Sequence, residues 1–436
     1  MKLAQDANPR PATSAKLDGE PLSPPSPTTT VASISAMALA ADGLLIVADW
    51  RNSRIHRLRL PEKRPKPSDP YNIRGLSTVL SEGSNTGQPV RVTALCAVDG
   101  GAWLAISRGL DVDSPVGLAS VEPNGTVRVY EPDQLVIGSA RLGPKPAEGT
   151  IWKTVPVETV FLTDLIARKD EILVSGLSGE SFDSSLFRLP YPASFQDDAA
   201  DADLGTVTKL EMFHTVHNQI ETRAPIRAMT VIEDAAGKAE PMLVAAYTCT
   251  PLVTAPLSAL DGDVVRTTTI AELGFGNEPV AALAFTLEHD GEASDWLLIT
   301  HKAKSADLIA LSDIQKASQG SGLSDQVKVP FQTTAGVEGI QLPMTGLIAI
   351  SEQNERNFVA VRRDAETGDL EVVSYQKGAF FRLSDFINEY DFPDYEYDHS
   401  AFQVNWALPY HKHMRRAEDY HELVPDTSAP DSAETR

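Results

Sequence analysis

The chain has 436 residues and a net charge of −22, from 38 basic and 60 acidic side chains, and 42% of its residues are hydrophobic. A chain this acidic, without a cluster of Lys and Arg, is unsuited to nucleic acid or to an anionic membrane surface. No apolar stretch reaches the length of about 18 residues that a membrane span needs, so we expect no membrane-spanning segment.

Residues 1–30 are rich in Pro, Ser and Thr and contain no long apolar run. This composition predicts a flexible leader rather than an intact signal peptide. Leaders of this kind often follow a cleaved signal or a lipid anchor, so we expect a periplasmic or secreted protein.

Residues 31–386 repeat one pattern: a small apolar inner strand, a polar turn, a buried strand and an alternating third strand. The six copies lie at 36–60, 92–130, 161–189, 226–257, 280–311 and 344–375. A spacing of about 55 to 70 residues is typical of propeller blades, whereas a β-helix needs shorter repeats. We therefore predict an all-β fold, a single β-propeller with six blades of four antiparallel strands, and keep seven blades as the alternative.

Fourth, outer strands are expected at residues 75–80, after the first copy, and at residues 265–273, after the fourth. The sequence does not decide which residues form the outer strand of the last blade. Residues 28–40, otherwise the first inner strand, compete for this role with the residues around 380–386.

The first copy contains DGLLIVAD (42–49) followed by NSRI (52–55), and it resembles an NHL-type repeat. The resemblance implies that Asp49 and Asn52 hold the turn into the third strand. The segments SGLS (175–178), ETRAPIR (221–227), AAYTCTPLV (245–253) and TIAELG (269–274) resemble an uncharacterised bacterial propeller family. No activity is known for that family, so the second resemblance assigns no catalytic residue to this chain.

A propeller binds ligands mainly at one mouth of its central channel, and a small-molecule ligand there fits this fold. The loops that enter the inner strands and the turns between second and third strands form that mouth. The main candidates at these positions are Asp49, Arg51, His214, His217, Glu221, Arg223, Cys249, Glu278 and His301. Further candidates on the same loops are Trp50, Gln88, Arg91, Arg108, Asp111, Lys153, Glu158, Glu180, Thr250, Asn277, Lys302, Glu338, Arg362 and Arg363.

The loop before the fourth inner strand is the richest in chemistry. His214, His217 and Glu221 offer two imidazoles and a carboxylate, the ligand set that suits zinc, copper or iron. Their spacing is not a known zinc signature. The alternative is that the histidines are solvated and that Glu221 pairs with Arg223. One divalent metal ion is therefore the single cofactor candidate.

The two cysteines, Cys96 and Cys249, fall in different blades, which argues against a disulfide bond between them. The chain has no CxxCH motif, which excludes a covalently attached c-type haem. Cys249 has two interpretations: an inert buried thiol, or a nucleophile activated by His217 or His301.

Residues 387–436 break the repeat and form an acidic and aromatic extension with a disordered end. Aromatic side chains bury a large area at low entropic cost, so we expect this segment to dock on a partner or on the propeller itself. The residues concerned are Tyr390, Phe392, Tyr395, Tyr397 and Trp406. Four histidines of the same segment form either a copper site or an exposed tail: His399, His411, His413 and His421.

Three functions stay open. The preferred one is a non-catalytic binding or scaffold propeller, a subunit that docks an extracytoplasmic protein partner. The second is a metal-dependent hydrolase or lyase similar to the gluconolactonase-type propellers, with Asp49, Glu221, Glu278 and Glu338 converging on the channel axis. The third is an accessory subunit of a quinoprotein dehydrogenase, which the missing haem motif makes the weakest.

Overall fold

The structure is a computed structural model of the chain. It describes residues 11–23, 30–61, 69–152, 155–195, 206–233, 240–274, 278–289, 292–302, 304–327, 334–342, 344, 346–364 and 367–378.

Six antiparallel sheets form the blades of a β-propeller, as the repeat predicts. We number the blades in the chain order of their inner strands. The strands of each blade are given from inner to outer. Blade 1 comprises Ala36–Leu39, Leu45–Asp49, Arg54–Leu58 and Val136–Arg141; blade 2, Arg91–Val98, Gly101–Ser107, Val116–Val121 and Thr126–Tyr130; and blade 3, Phe161–Ala167, Glu171–Ser178, Asp183–Pro190 and Thr206–His214. Blade 4 comprises Ile226–Ile232, Met242–Tyr247, Pro251–Pro256 and Thr268–Glu272; blade 5, Pro279–His289, Glu292–His301, Ala306–Ala310 and Ile340–Leu342; and blade 6, Leu347–Glu352, Asn357–Arg363, Leu370–Gln376 and Asn72–Arg74.

Smaller elements are attached to these sheets. They are the strands Thr13–Ser14 on blade 6, Lys16–Leu17 on blade 2, Gln219–Glu221 and Val264–Arg266 on blade 3, and Ala335–Gly336 on blade 4; the hairpin of Ile151–Trp152 and Val155–Pro156; helices α1 (Leu76–Ser84) and α2 (Leu311–Ser318); and the 3₁₀ turns Pro132–Leu135, Ala193–Phe195 and Leu257–Asp261. No helix in the described ranges is long and apolar enough to cross a membrane.

The second strands of blades 1 and 4 are buried along their whole length. Every residue of Leu45–Asp49 and of Met242–Tyr247 is buried. A strand covered on both faces by neighbouring blades reads as a continuous apolar run, whereas a half-exposed strand alternates. This explains why runs such as LIVAD mark the repeat in the sequence.

The order of the blades around the channel differs from their order along the chain. Blade 2 shares apolar clusters with blades 1 and 6, and blade 1 shares one with blade 3. The remaining clusters join blades 3 and 4, 4 and 5, and 5 and 6. The inner strands pack in the same order. The ring is therefore 1, 3, 4, 5, 6, 2 and back to 1, with the first two blades exchanged.

Two outer strands come from distant parts of the chain. Asn72–Arg74 completes blade 6, with Ile73 opposite Val372. Val136–Arg141, which follows blade 2 in the chain, completes blade 1. Closure of the last blade by residues 28–40 is therefore wrong, since Ala36–Leu39 is the inner strand of blade 1. The competing residues 380–386 lie outside the described ranges.

Residues 75–80 do not form the predicted outer strand. Gly75 has a φ of 73°, and α1 begins at the next residue. Leu76, Val79, Leu80 and Gly83 are buried, and this i, i+3, i+4, i+7 spacing places them on one helical face. The second predicted outer strand, 265–273, is present as Thr268–Glu272.

Part of the predicted flexible leader belongs to the folded body. Two short strands lie within residues 11–23, and the backbone N–H of Leu22 donates to the Gly83 carbonyl at 2.7 Å. The buried guanidinium of Arg108 donates to the carbonyl of Ser23 at 2.7 Å and to that of Ser84 at 2.9 Å. Hydrogen bonds of Leu22 and Ser23 with the folded body fix this segment, which composition alone does not reveal.

Candidate ligand-binding site

A cavity of about 390 Å³ lies at one mouth of the central channel. All six blades contribute to its wall, through the starts of inner strands and the turns between second and third strands. The lining residues are Ser33, Ile34, Ser35 and Trp50 of blade 1; Arg91, Val92, Thr93, Ser107, Val112, Ser114 and Val116 of blade 2; Phe161, Leu162 and Thr163 of blade 3; Arg227 of blade 4; Lys302 of blade 5; and Gly346, Leu347, Ile348 and Arg363 of blade 6.

A recurring β-bulge directs side chains into this mouth. In blades 2 to 6 the inner strand carries one extra residue near its start, opposite no partner on the second strand. The extra residues are Thr93, Thr163, Arg227, Val280 and Ile348. Four of the five line the cavity, all but Val280. Bulges commonly re-aim a side chain beside a functional site, and here they do so in several blades at one level.

Four cationic side chains line the cavity, each from a different blade: Arg91, Arg227, Lys302 and Arg363. No Asp or Glu is found among its described lining residues. In a protein with a net charge of −22 this mouth is a local concentration of positive charge. A concave, low-dielectric wall of one sign focuses the field and attracts ions of the opposite sign.

The wall is also apolar and aromatic. The rings of Trp50 and Phe161 meet edge to face, with centroids 6.2 Å apart. Val92, Leu162 and Ile348 add aliphatic surface beside them. A ligand with both an anionic group and an apolar body would therefore find complementary surface in one cavity.

Asp164 is a buried carboxyl group that interacts with the mouth cation Arg227. Its oxygens accept the backbone N–H of Met229 at 2.7 Å and of Leu165 at 2.8 Å, so it joins blades 3 and 4. Burial raises the pKa of Asp164 to about 7, although these hydrogen bonds and the charge of Arg227 act in the other direction. Near neutral pH this carboxyl therefore only partly offsets the charge of Arg227.

None of the nine main mouth candidates is among the residues that line the cavity, although Trp50, Arg91, Lys302 and Arg363 of the further candidates are. Asp49 is fully buried, where it accepts hydrogen bonds from Ser33 at 2.6 Å and from the Asn52 amide at 2.8 Å. It therefore holds the turn into the third strand, the role that the NHL resemblance implies. Arg51 reaches from the same turn to the carbonyl of Asp113 at 3.0 Å.

His301 lies in a buried network of blade 5. Its Nε2 is 2.7 Å from Asp307, whose carboxylate also accepts from Lys304 at 3.0 Å. Burial and the charge of Lys304 lower the pKa of His301 to about 4, against the opposing effect of Asp307. Since the ring is neutral and donates to Asp307, its role is to join the strands of this blade.

The structure brings His214, His217 and Glu221 together as predicted, but at the rim between the outer strands of blades 3 and 4. The strands Thr206–His214 and Gln219–Glu221 form a hairpin. Within it, Glu221 Oε1 lies 2.9 Å from Nδ1 of His214 and 2.6 Å from Nδ1 of His217. We call these three side chains the hairpin cluster. The predicted partner of Glu221, Arg223, instead lies 4.0 Å from Asp183.

The hairpin cluster carries shifted pKa values. Burial disfavours the His214 imidazolium, but hydrogen bonds with Cys249 and Glu221 and the charge of Glu272 outweigh it and raise the pKa of His214 to about 10. The hydrogen bond from His214 lowers the pKa of Glu221 to about 2, with His217 and Gln219 adding to this effect against burial. In the absence of another cation, the positive charge of the His214 imidazolium therefore compensates the negative charges of Glu221 and Glu272.

Cys249 is exposed and adopts a φ of +84°, an uncommon conformation for a residue with a side chain. Its Sγ lies 3.9 Å from Nε2 of His214, so His214 is the imidazole beside it, rather than the predicted His217 or His301. Cys96 is buried, and neither cysteine forms a disulfide. They belong to blades 2 and 4, which do not touch in the ring.

Several predicted site residues lie outside the described ranges. These are the partner-binding residues Tyr390, Phe392, Tyr395, Tyr397 and Trp406, the tail histidines His399, His411, His413 and His421, and the mouth candidates Lys153 and Asn277. Glu278 is described, at the entry to blade 5, where its carbonyl accepts from the Lys302 N–H at 3.0 Å.

Arg227 is the one of the four mouth cations that the sequence candidates missed. It follows the first residue of an inner strand, and a regular strand would turn it away from the mouth. The bulge after Ile226 changes its direction. The signal was available in the sequence as a charged residue at the position where the other copies have Thr93, Thr163 and Ile348.

No family model matches the chain, and no curated protein matches it. Among solved structures it is similar to a GH43 glycoside hydrolase engineered to display both endo-xylanase and exo-arabinofuranosidase activity. That match covers 66% of this chain and 52% of the other, with 13% identity and a TM-score of 0.27. The chain thus spans about half the length of that protein, and a similarity this distant carries nothing about activity.

Proposed function

We propose that the protein is a non-catalytic binding propeller that holds a small organic anion at its channel mouth. The observation that carries the proposal is the set of four cations, Arg91, Arg227, Lys302 and Arg363, contributed by four blades to one cavity of about 390 Å³. Arg forks and Lys ammonium groups are the side chains that bind carboxylates and phosphates most strongly.

The cavity also limits what the anion can be. Its volume lies at the low end of the range for small-molecule sites, about 300 to 1,000 Å³. The Trp50 and Phe161 rings offer an apolar wall opposite charged groups. The ligand class is therefore a carboxylate or phosphate ester with a compact apolar or aromatic body.

The chemistry of the wall favours binding over catalysis. The described lining residues provide guanidinium, ammonium and hydroxyl groups, and they include no carboxylate, imidazole or thiol that would act as a general base. A gluconolactonase-like mechanism needs carboxylates converging on the axis. Asp49, Glu221, Glu278 and Glu338 are not among the lining residues. Docking of an extracytoplasmic protein partner through the C-terminal segment stays a prediction from the sequence.

The test is thermal unfolding of the purified chain with benzoate and with benzamide, its neutral isostere. We expect benzoate to raise Tm and benzamide to do so far less. Arg91→Gln and Arg227→Gln each remove one charged hydrogen-bond donor, worth about 1.5 to 3 kcal/mol, and should weaken binding about tenfold or more.

Arg266→Gln is the matched control. Arg266 is exposed, pairs with Glu211 at 2.9 Å and lies away from the cavity wall, so this variant should bind benzoate like the wild type. Equal stabilisation by the two compounds, or unchanged binding in the two mouth variants, would contradict the proposal.

A further inference from the structure

The hairpin cluster has the donor set and the spacing of a transition-metal site. The three ligand atoms offered by His214, His217 and Glu221 lie within 4.8 Å of one another. In tetrahedral zinc sites with bonds of 2.0–2.1 Å, neighbouring ligand atoms are about 3.3 Å apart. The present separations of 2.9 and 2.6 Å from Glu221 Oε1 need only a small outward movement of each ring.

The other ring nitrogen of His214 is already oriented by a second layer of hydrogen bonds. His214 Nε2 lies 2.9 Å from the Thr250 hydroxyl, which in turn donates to Glu272. Glu272 is held by the backbone N–H and the hydroxyl of Thr215, both at 2.8 Å. Histidines that ligate metals usually donate their second ring N–H to such a carboxylate or hydroxyl, which leaves the first nitrogen free to coordinate.

The hairpin fixes the three donors close together and leaves one side accessible. His214 pairs with Gln219 across the two strands, and Asn218 turns the chain with a φ of 52°. His214 has no exposed side-chain surface, whereas half of the His217 side chain is exposed. An ion held here would therefore have three protein ligands and an open position facing solvent.

Cys249 is not part of this donor set. Its Sγ approaches Nε2 of His214, whereas Glu221 approaches Nδ1. The two nitrogens point in different directions from the ring, so a thiol at one of them cannot ligate an ion bound at the other.

We propose that His214, His217 and Glu221 bind one zinc ion, or a similar divalent transition metal, with water in the fourth position. This site is separate from the cavity at the channel mouth, and it does not depend on the anion proposed there. Bound metal would place positive charge beside Glu221 and near the buried Glu272.

The test is isothermal titration of the chelator-treated, full-length chain with zinc chloride. We expect one high-affinity ion per chain. His217→Gln removes a ligand from a half-exposed position, so the fold should persist while zinc binding weakens at least tenfold. Thr250→Val leaves the ligands in place but removes the group that orients His214, and should weaken binding by about 10- to 100-fold.

The matched control is a full-length variant in which His399, His411, His413 and His421 are all changed to Ala. It should keep the high-affinity ion, because the hairpin is intact. Loss of the ion in this variant, unchanged affinity in His217→Gln, or no zinc binding by the wild type would overturn the proposal. A sulfur-to-cobalt charge-transfer band in the cobalt-loaded protein would also overturn it, because Cys249 would then be a ligand.

Discussion

At the scale of single residues, a buried histidine between two carboxylates determines the charge of the hairpin cluster. Nδ1 of His214 faces Glu221, and its Nε2 lies 3.7 Å from Glu272. With its pKa raised to about 10, His214 keeps in the folded, metal-free protein a proton that the unfolded chain releases near pH 6.5. Glu221, with its pKa lowered to about 2, keeps its negative charge far below pH 4.5.

We expect the stabilising effect of His214 to be complete below pH 6.5 and to disappear as the pH rises through about 10. The stabilising effect of the Glu221 carboxylate is present above pH 4.5 and disappears as the pH falls through about 2. Urea unfolding in EDTA of the wild type and of His214→Gln measures this. The difference in free energy of unfolding between the two should be largest between about pH 4.5 and pH 6.5 and should shrink towards pH 10. A difference that does not change with pH would contradict this assignment.

At the scale of the strand, the bulge of blade 3 depends on one glycine. Gly176 lies opposite Leu162, directly before the extra residue Thr163. A Cβ at Gly176 would lie 1.8 Å from the carbonyl oxygen of Phe161, a backbone atom that cannot rotate away. The absence of a side chain there lets the inner strand bend and place Thr163 in the cavity wall.

Gly176→Ala should therefore destabilise the protein by about 1–3 kcal/mol or more, because the clash with Phe161 forces the two strands apart. Chemical unfolding followed by tryptophan fluorescence measures the loss. Gly262→Ala is the control, since its nearest new contact would be an ordinary 3.7 Å to Val265. Equal stability of the two variants would show that blade 3 does not require this close approach.

The elements differ in how far the sequence predicts them. The inner and second strands repeat as local apolar patterns, so their number and their order along the chain could be predicted directly from the sequence. The outer strand Asn72–Arg74 could not, because its partner Leu370–Gln376 lies about 300 residues away and no local pattern records such pairing. The helix Leu76–Ser84 was predictable, since the spacing of its apolar residues is that of a helix. The repeat pattern, in which a fourth strand follows the third, favoured a strand there instead.

The residues of the candidate sites also differ in how far the sequence predicts them. Of the residues that the loop positions predicted for a channel mouth, Trp50, Arg91, Lys302 and Arg363 line the cavity. Residue type alone could not separate these from Asp49 and His301, which look like site residues but satisfy buried hydrogen bonds. The proximity of His214, His217 and Glu221 was predictable because all three lie within eight residues of chain.

At the scale of the whole molecule, the ring closes where blade 2 meets blade 6. Tyr71 is fully buried at this junction. Its backbone N–H donates to Ser374 of blade 6 at 2.8 Å. Its hydroxyl donates to the Val121 carbonyl and accepts from the Ala102 N–H, each at 2.9 Å, and both residues belong to blade 2. Tyr71 therefore joins the two blades, blade 6 through its backbone N–H and blade 2 through its hydroxyl.

Tyr71→Phe should destabilise the whole protein by about 1–3 kcal/mol, because it leaves a buried N–H and a buried carbonyl without their partner. Because the ring is continuous, we expect the loss to appear as a lower midpoint of one cooperative transition. Tyr130→Phe is the control: Tyr130 is only partly buried and packs against Trp103 through its ring. A wild-type midpoint in Tyr71→Phe would contradict this account of closure.

The ring of blades places four cations from four blades around one cavity, with the bulge of blade 4 directing Arg227 into it, and this convergence is the central claim. A crystal of the protein soaked in 4-bromobenzoate tests it most directly, because anomalous scattering locates the bromine. The account predicts a bromine peak in the mouth beside Trp50 and Phe161, with the carboxylate within hydrogen-bonding distance of at least two of the four cations. A binding site elsewhere on the protein, or an empty mouth at saturating ligand, would contradict it.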